Sequence, residues 1–259
     1  MDPAIDWAQR IDAARATGTL LDPPSASSVP LDLPGAYRVS GLLAARRRAR
    51  GEQPVGWKLG YTSVAMREQM GVAEPNSGLL TDAMLRPDGT VIGASELRQP
   101  RVEPEVALVV GAGAPPPPGE GYAVPVAEAR VALEVVDSTW HDYRFTLEDN
   151  TADGSSAAFV VLGEPLPGDT DLSALAVVLE VDGEVVARST GAAAMGSPLT
   201  ALRWLAEHLA GRGEALTAGS VVITGGLTAA YPLLPGGTVS ATFSAGSPAQ
   251  RVTVSRAAP

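Results

Sequence analysis

An α+β fold, with a small helical N-terminal region packed on a larger mixed β-sheet body, is predicted by three observations. Apolar residues recur at helical spacing behind capping residues near the N-terminus. Past Val55 the pattern changes to short apolar runs separated by glycine turns. A single later amphipathic helix interrupts those runs before three closing strand-like segments. The expected boundary falls near residue 70, giving a helical region over 1–70 and a β-rich, metal-binding catalytic body over 71–259.

Asp2-Pro3 sets a cap before a proline at the first helical position, and Ile5, Ala8, Ile11 and Ala14 carry the apolar stripe up to Gly18. After a Pro/Ser-rich connector from Leu21 to Pro30, a second helix is expected from about Gly35 to Arg50, closed by Gly51. Its run of arginines from Arg46 to Arg50 reads as a solvated last turn complementing the helix dipole. A short helix from Ser63 to Met70 places Met66 and Met70 one turn apart in the core. Arg101 to Val110 and Arg130 to Asp137 read as strands, and the four consecutive prolines within 112–118 require an extended surface loop. Val177 to Ala187 reads as a hairpin around Asp182-Gly183, a dipeptide that tolerates positive φ. Ser197-Pro198 caps an amphipathic helix with Leu199, Leu202, Leu205 and Leu209 on one face and Gly211 at its end. Ser220–Thr224, Thr238–Ser244 and Gln250–Ser255 complete the strands.

The chain has 259 residues and a formal charge of −10, from 19 basic against 29 acidic residues, which argues against nucleic acid as a partner. Without cysteine there is no disulfide and no thiolate nucleophile. The N-terminus lacks a basic-then-apolar leader, and no apolar run approaches the ~18 residues that span a bilayer, so a soluble cytoplasmic protein is expected. His141 and His208 are the only histidines, too few for a multi-histidine metal site. Lys58 is the only lysine beside 18 arginines. A nucleotide bias explains the arginines but not the exception. Only an ammonium has an adjustable pKa, which points Lys58 towards proton or carbonyl chemistry.

Glu103 and Glu105 are two apart, so in a strand both leave one face, which continues through Ala107 and Val109. Glu134 shares a face with Ala132 and Val136. Three carboxylates in small apolar company suggest a hard divalent cation, Mg²⁺ or Mn²⁺ rather than Zn²⁺. The ordinary alternative is an exposed edge strand carrying Glu103 and Glu105, with Glu134 on a helix surface. The segment 149–156 reads as a polar loop that offers N–H groups and hydroxyls to an anion, or as a plain turn. Thr224-Gly225-Gly226 could bring a ligand close to backbone at a strand end. No nucleophile elbow and no phosphate-binding loop is present, and His141 reads as structural.

Gly56-Trp57-Lys58-Leu59-Gly60-Tyr61-Thr62-Ser63, Gly78-Leu79-Leu80-Thr81-Asp82, Pro100-Arg101-Val102-Glu103-Pro104-Glu105, Glu134-Val135-Val136-Asp137-Ser138, Ala152-Asp153-Gly154-Ser155-Ser156, Gly196-Ser197-Pro198-Leu199 and Thr224-Gly225-Gly226-Leu227-Thr228-Ala229-Ala230 occur in that order. From about Gly56 onward the chain thereby resembles the fumarylacetoacetate hydrolase superfamily, in its branch of 2-hydroxypenta-2,4-dienoate (2-keto-4-pentenoate) hydratases and 4-oxalocrotonate decarboxylases. The resemblance implies Glu103, Glu105 and Glu134 as ligands of Mg²⁺ or Mn²⁺, Lys58 and Asp82 as a proton-handling pair, and Ser156 near the substrate carboxylate. Thr224 and Gly225 join Ser156 as expected substrate-binding residues. Gly154 stands where the family usually has Asn, and Ser197 where His or Asn is common. Related C–C hydrolases use an N-terminal His to activate water, and no histidine precedes position 141, which disfavours hydrolysis.

The expected activity is therefore that of a metal-dependent lyase on an unsaturated 2-oxo acid, with small-molecule substrate, no nucleic acid, no membrane, and a homo-oligomeric state. Decarboxylation of a 4-oxalocrotonate (2-oxo-3-hexenedioate)-like acid and hydration of 2-hydroxypentadienoate share one dienolate. The Thr224-to-Ala230 segment looks more like the decarboxylase version. A scaffold that keeps the fold without catalysis is the alternative from another class.

Overall fold

The computed structural model describes residues 2–64, 67–68, 71–112, 123–246 and 248–259. Both N-terminal helices form: α1 (Pro3–Thr17), with the Asp2 side chain accepting from the Ala4 amide and Gly18 closing it at φ +70°, and α2 (Leu33–Ala49). The second helix starts two residues earlier than expected, because Asp32 caps it by accepting from the Gly35 amide and Pro34 occupies its first turn. Three of the four arginines at its end are paired rather than simply solvated: Arg46 and Arg50 with Asp12 of α1, and Arg47 with Glu52 at 3.0 Å. The expected core positions Met66 and Met70, and the proline loop expected over 112–118 apart from Ala112, lie outside the described residues.

Among the described residues the strands form two sheets. They are β1 (Pro54–Gly60), β2 (Asn76–Thr81), β3 (Leu85–Pro87), β4 (Thr90–Ile92), β5 (Arg101–Val110), β6 (Val126–Val136), β7 (Ala157–Pro165), β8 (Ala176–Val181), β9 (Glu184–Thr190), β10 (Val221–Ile223), β11 (Tyr231–Pro232), β12 (Thr238–Ser244) and β13 (Gln250–Arg256). The larger sheet runs β2-β1-β10-β5-β6-β7-β3, with β11 also pairing β5, and the smaller runs β4-β13-β12-β8-β9. The helical part gives way to the sheet at Pro54 rather than near 70, since β1 is an interior strand between β2 and β10. Helix α3 (Leu147–Ala152) and helix α4 (Pro198–Gly211) complete the elements used below.

Alternation in β5 and β6 decides what each face of the larger sheet does. Val102, Val106, Leu108, Val131, Leu133 and Val135 point into the main core with Leu179, Val239, Phe243 and Val252 of the smaller sheet and Leu202, Leu205 and Leu209 of α4. Each such fully buried side chain contributes roughly 1.5–3 kcal/mol. The opposite face carries Glu103, Glu105 and Glu134 beside a second small cluster that includes Ala107, Ala132, Val160 and Ile223. Leu199 departs from the expected apolar face and is 50% exposed. At about 100° per residue it lies roughly 90° from the centre of the buried stripe.

The N-terminal helices serve the sheet indirectly. Trp7 packs edge-on against Trp140 at 6.0 Å, and the Trp140 indole donates to the Asp149 carbonyl at 2.9 Å. With Ile11, Val39, Leu43 and Ala152 they make a separate core that pins α3 and the 139–156 segment. The expected polar loop over 149–156 is thus a helix in its first half, because Thr146 and Asp149 form a reciprocal capping box.

His208, in the last turn of α4, is stacked on Trp204 at 4.7 Å and lies 5.2 Å from the Tyr37 ring of α2, and its Nε2 is buried without a hydrogen-bond partner. Burial, then the neighbouring Arg212, pull its pKa from 6.5 down to about 4. The unfolded chain therefore takes up a proton first, so this contribution to stability is complete above pH 6.5 and lost as pH falls towards about 4. His208→Phe should flatten the fall in unfolding midpoint across that window in urea titrations at stepped pH. An unchanged slope would show that another group is responsible.

Candidate active site

Glu103 of β5 and Glu134 of β6 are directly opposed in register, and Glu105 follows on the same face. Each of the three offers a carboxylate oxygen, and these atoms all lie within 4.8 Å of one another. Glu105 and Glu134 are fully buried, which removes the edge-strand and helix-surface alternative. Pro104 is accommodated between the two β5 acids because β10 pairs only with 107–109 and β11 with 101–102. The intervening chain peels away there, and the Pro104 carbonyl accepts from the Leu227 amide at 2.9 Å.

That intervening segment shapes the site. The Gly225 amide donates to Glu105 Oε2 at 2.6 Å, at φ +97°, where a Cβ would sit 2.0 Å from Thr62 Oγ1. A Cβ on Gly226 would sit 2.7 Å from Glu103 Oε2. Two of the chain's own carboxylates approach the backbone here. The Thr224 hydroxyl is turned away to the Val106 carbonyl at 3.1 Å, because it continues the β10–β5 pairing. Gly225 thereby holds Glu105, and Thr224 anchors the strand end to Val106.

Lys58 reaches the trio from β1, three places from β6 in the sheet order. Its Nζ lies 2.9 Å from Glu134 Oε2 and donates to the Ser155 carbonyl at 2.8 Å. Burial pulls the ammonium down, but Glu134, Glu103 and Glu105 outweigh it and hold its pKa above the usual lysine value. Lys58 is thus a protonated donor, not a neutral amine ready to attack a carbonyl. Burial, then Glu134, push Glu103 up to about 7 against the opposing pull of Lys58 and Arg101. Burial, Glu134 and Glu103 push Glu105 well above the ordinary range. Burial also raises Glu134 despite Lys58.

Asp82 does not join this group. Lys58 faces Gly78 across the β1–β2 pair, so Asp82 lies four residues further on, roughly 13 Å away at about 3.3 Å per residue. It is exposed and accepts from the Gln53 and Ala83 amides at 2.9 and 2.8 Å. The position that β2 does turn towards the site is Asn76, opposite Gly60 and fully buried. Its amide donates to Asn150 Oδ1 and Thr151 Oγ1, and its carbonyl oxygen accepts from the Ser155 hydroxyl at 3.0 Å. Ser156 is buried in the same network: its hydroxyl accepts from Asn150 at 2.9 Å, and its amide donates to Asp153. Gly154, at φ +73°, makes the turn that brings both serines in, whereas Ser197 caps α4 instead.

A cavity of about 350 Å³ opens onto Lys58 and Glu103 and is lined further by Tyr61, Arg101, Val136, Tyr143, Phe145, Asn150, Ser155, Ser156, Ala229 and Ala230. Tyr61, Asp142, Tyr143, Ser155 and Ser156 all hold positive φ and all line this cavity. Backbone strain of that kind gathers where a site is over-determined by its surroundings. Sequence spacing contained no signal for Asn76, Tyr61 or Tyr143, whose roles depend on which loops meet.

The trio fits a divalent cation. Glu105 Oε1 and Glu134 Oε1 are buried without a hydrogen-bond partner, and the donor set is all carboxylate. A two-sheet α+β fold with an acidic, lysine-flanked buried site of this kind defines a metal-dependent enzyme. The chain belongs to the fumarylacetoacetate hydrolase family, whose model, described as the fumarylacetoacetate hydrolase C-terminal region, matches residues 58–254. It is 38% identical over 217 residues to 4-oxalocrotonate decarboxylase of Pseudomonas sp. (strain CF600), covering 80% of each chain. It is 37% identical over 238 residues to 2-keto-4-pentenoate hydratase of Burkholderia vietnamiensis, covering 90% of this chain and 91% of that one. A solved 4-oxalocrotonate decarboxylase from Pseudomonas putida G7, complexed with magnesium and adipate, superimposes with a TM-score of 0.90 at 31% identity, covering 98% of this chain and 97% of that one.

Proposed function

We propose that the chain is a divalent-metal-dependent lyase that decarboxylates 2-oxo-3-hexenedioate or a closely related unsaturated 2-oxo diacid. The observation that carries this reading is the glutamate trio, two of them buried with an unpartnered oxygen each, with Glu134 in contact with a buried protonated lysine. Glu103, Glu105 and Glu134 would hold the cation, with Mg²⁺ or Mn²⁺ the best match to three carboxylates. When bound, such an ion supplies positive charge to the ketone and carboxylate oxygens of a 2-oxo acid, where an enolate develops.

In the proposed step the bond between C5 and its carboxylate breaks and CO₂ leaves. The electron pair forms the C4–C5 double bond, the C3–C4 π pair shifts to C2–C3, and the negative charge comes to rest on the C2 oxygen. Lys58 would donate a proton to that oxygen, yielding 2-hydroxypenta-2,4-dienoate. Val136, Phe145, Ala229 and Ala230 keep water from the carbon chain, and Asn150, Ser155 and Ser156 form a neutral polar wall. The adipate in the decarboxylase neighbour, a six-carbon diacid, supports a diacid substrate. Hydration of 2-hydroxypentadienoate is the second reading, favoured by the hydratase relative of similar identity and greater coverage.

Measuring CO₂ release from 2-oxo-3-hexenedioate against water addition to 2-hydroxypentadienoate separates the two, and turnover of neither overturns both. Metal should also register in stability, because it relieves repulsion among buried acids. A hundredfold excess of Mg²⁺ over its Kd is expected to raise Tm by roughly 5–10 °C. A chelator should reverse the shift, and no shift with Mg²⁺ or Mn²⁺ would count against the site. Among the described residues no helix is long and apolar enough to cross a membrane. A cytoplasmic homo-oligomer completes the reading, with the copy number open to sedimentation analysis.

A further inference from the structure

Arg101 opens β5 two residues before Glu103, and alternation sends its side chain out of the same sheet face as Glu103 and Glu105. Its guanidinium carbon lies 4.2 Å from the centre of the Tyr143 ring. That ring is a fixed platform, since the Tyr143 hydroxyl is bonded to the carbonyls of Gln99 and Val136, both at 3.0 Å. The guanidinium itself donates to no acceptor among the described residues, although it lines the cavity that reaches the glutamates. Other arginines beside the site are committed: Arg98 to Asp137, Arg15 to the Asp153 carbonyl, Arg67 to the Tyr61 and Thr62 carbonyls. Lys58, the other cation in this cavity, is committed to Glu134 and Ser155.

We propose that Arg101 is the specificity residue that receives the second carboxylate of a dicarboxylic 2-oxo acid and so sets the preference for diacids over monoacids. This deepens the reading above and rests on a 2-oxo acid binding at the glutamate trio. Two residues of strand separate Arg101 from Glu103, roughly 7 Å of rise. That offset places a cation at the far end of a six-carbon chain whose 2-oxo end sits at the acids. Val136, Phe145, Ala229 and Ala230 lie along the same cavity and suit the hydrocarbon between. A guanidinium flattened on an aromatic ring keeps its fork of donors oriented and accepts a carboxylate bidentately with little further ordering. Asp142, the remaining acid in the cavity, is exposed and lies 4.0 Å from Arg144.

The arrangement has a kinetic signature. The carboxylate that Arg101 receives is the one that leaves as neutral CO₂, so the ion pair weakens as the C5–carboxylate bond breaks. Arg101 then lowers KM for the diacid without raising kcat. In Arg101→Gln, KM for 2-oxo-3-hexenedioate should rise roughly ten- to a hundredfold, the range for losing a hydrogen bond to a charged group, and kcat should not fall.

Binding measurements keep this separate from the reaction itself. With Mg²⁺ present, calorimetry should show 2-oxoadipate binding at least roughly tenfold more tightly than 2-oxohexanoate, the unit in which a single charged contact is read. Arg101→Gln should abolish the ratio while oxalate affinity, which also reports an intact fold, stays within about twofold; Arg101→Lys should restore part of it, since the charge returns without the fork. No diacid preference in the native protein, or a preference that survives Arg101→Gln, overturns the inference. If the preference behaves as stated but no CO₂ is released, the inference stands and the decarboxylase reading alone falls. If neither oxalate nor either 2-oxo acid binds in the presence of Mg²⁺, both fall.

Discussion

Glu105→Gln is expected to lower kcat/KM by at least about 10³-fold, the order seen when one preorganised electrostatic element is removed, while leaving the metal-free protein as stable as before. Glu105 is buried among other acids, and its pKa stands well above the ordinary carboxylate range. Without metal its burial among acids works against the charged form, and an amide keeps the shape without that charge. The amide oxygen retains the 2.6 Å contact from the Gly225 amide. What disappears is the negative charge available to a cation, so the Mg²⁺-dependent rise in Tm should shrink in parallel with activity. Activity and thermal unfolding with and without Mg²⁺ check both halves. Native activity in the variant would remove Glu105 from the site.

Lys58→Met should cost roughly 10²–10⁴-fold in kcat, the range for a positioned proton donor, with Mg²⁺ affinity retained or strengthened because a cation beside the acids is gone. Lys58→Arg should not rescue it. The ammonium fits between Glu134 Oε2 at 2.9 Å and the Ser155 carbonyl at 2.8 Å. A planar guanidinium is larger there and does not release its proton. Single-turnover rates and metal titration of both variants test this. Unchanged kcat in Lys58→Met would leave the lysine a purely structural counter-ion.

Much of this was legible because it depends on local rules. Asp2 and Ser197 announce helix starts by their capping chemistry, and each caps in the structure. The Glu103/Glu105 spacing reports a shared face of a strand whatever lies beside it, and β5 shows that face. The sole lysine stood out by composition and is 3% exposed. Local rules failed where distant segments decide. Asp82 follows β2 in a motif with the right residue type, but antiparallel register carries it away from Lys58 and brings Asn76 in. The detour around Pro104 likewise brings the Thr224 hydroxyl to Val106 and the Gly225 amide to Glu105, contacts that spacing alone does not contain.

Residue order by itself determined that the chain would be α+β, which strand faces would carry acids, and which cation was exceptional, because period, capping and composition act over a few residues. The tertiary structure alone decided that β1 and β6 would be close enough for Lys58 to reach Glu134, that the chain between β10 and β11 would detour around Pro104, and that Tyr143 would lie beneath Arg101. The physical reason is that these meetings are set by long-range strand pairing and by the cores that pin the loops. A short window of sequence holds neither.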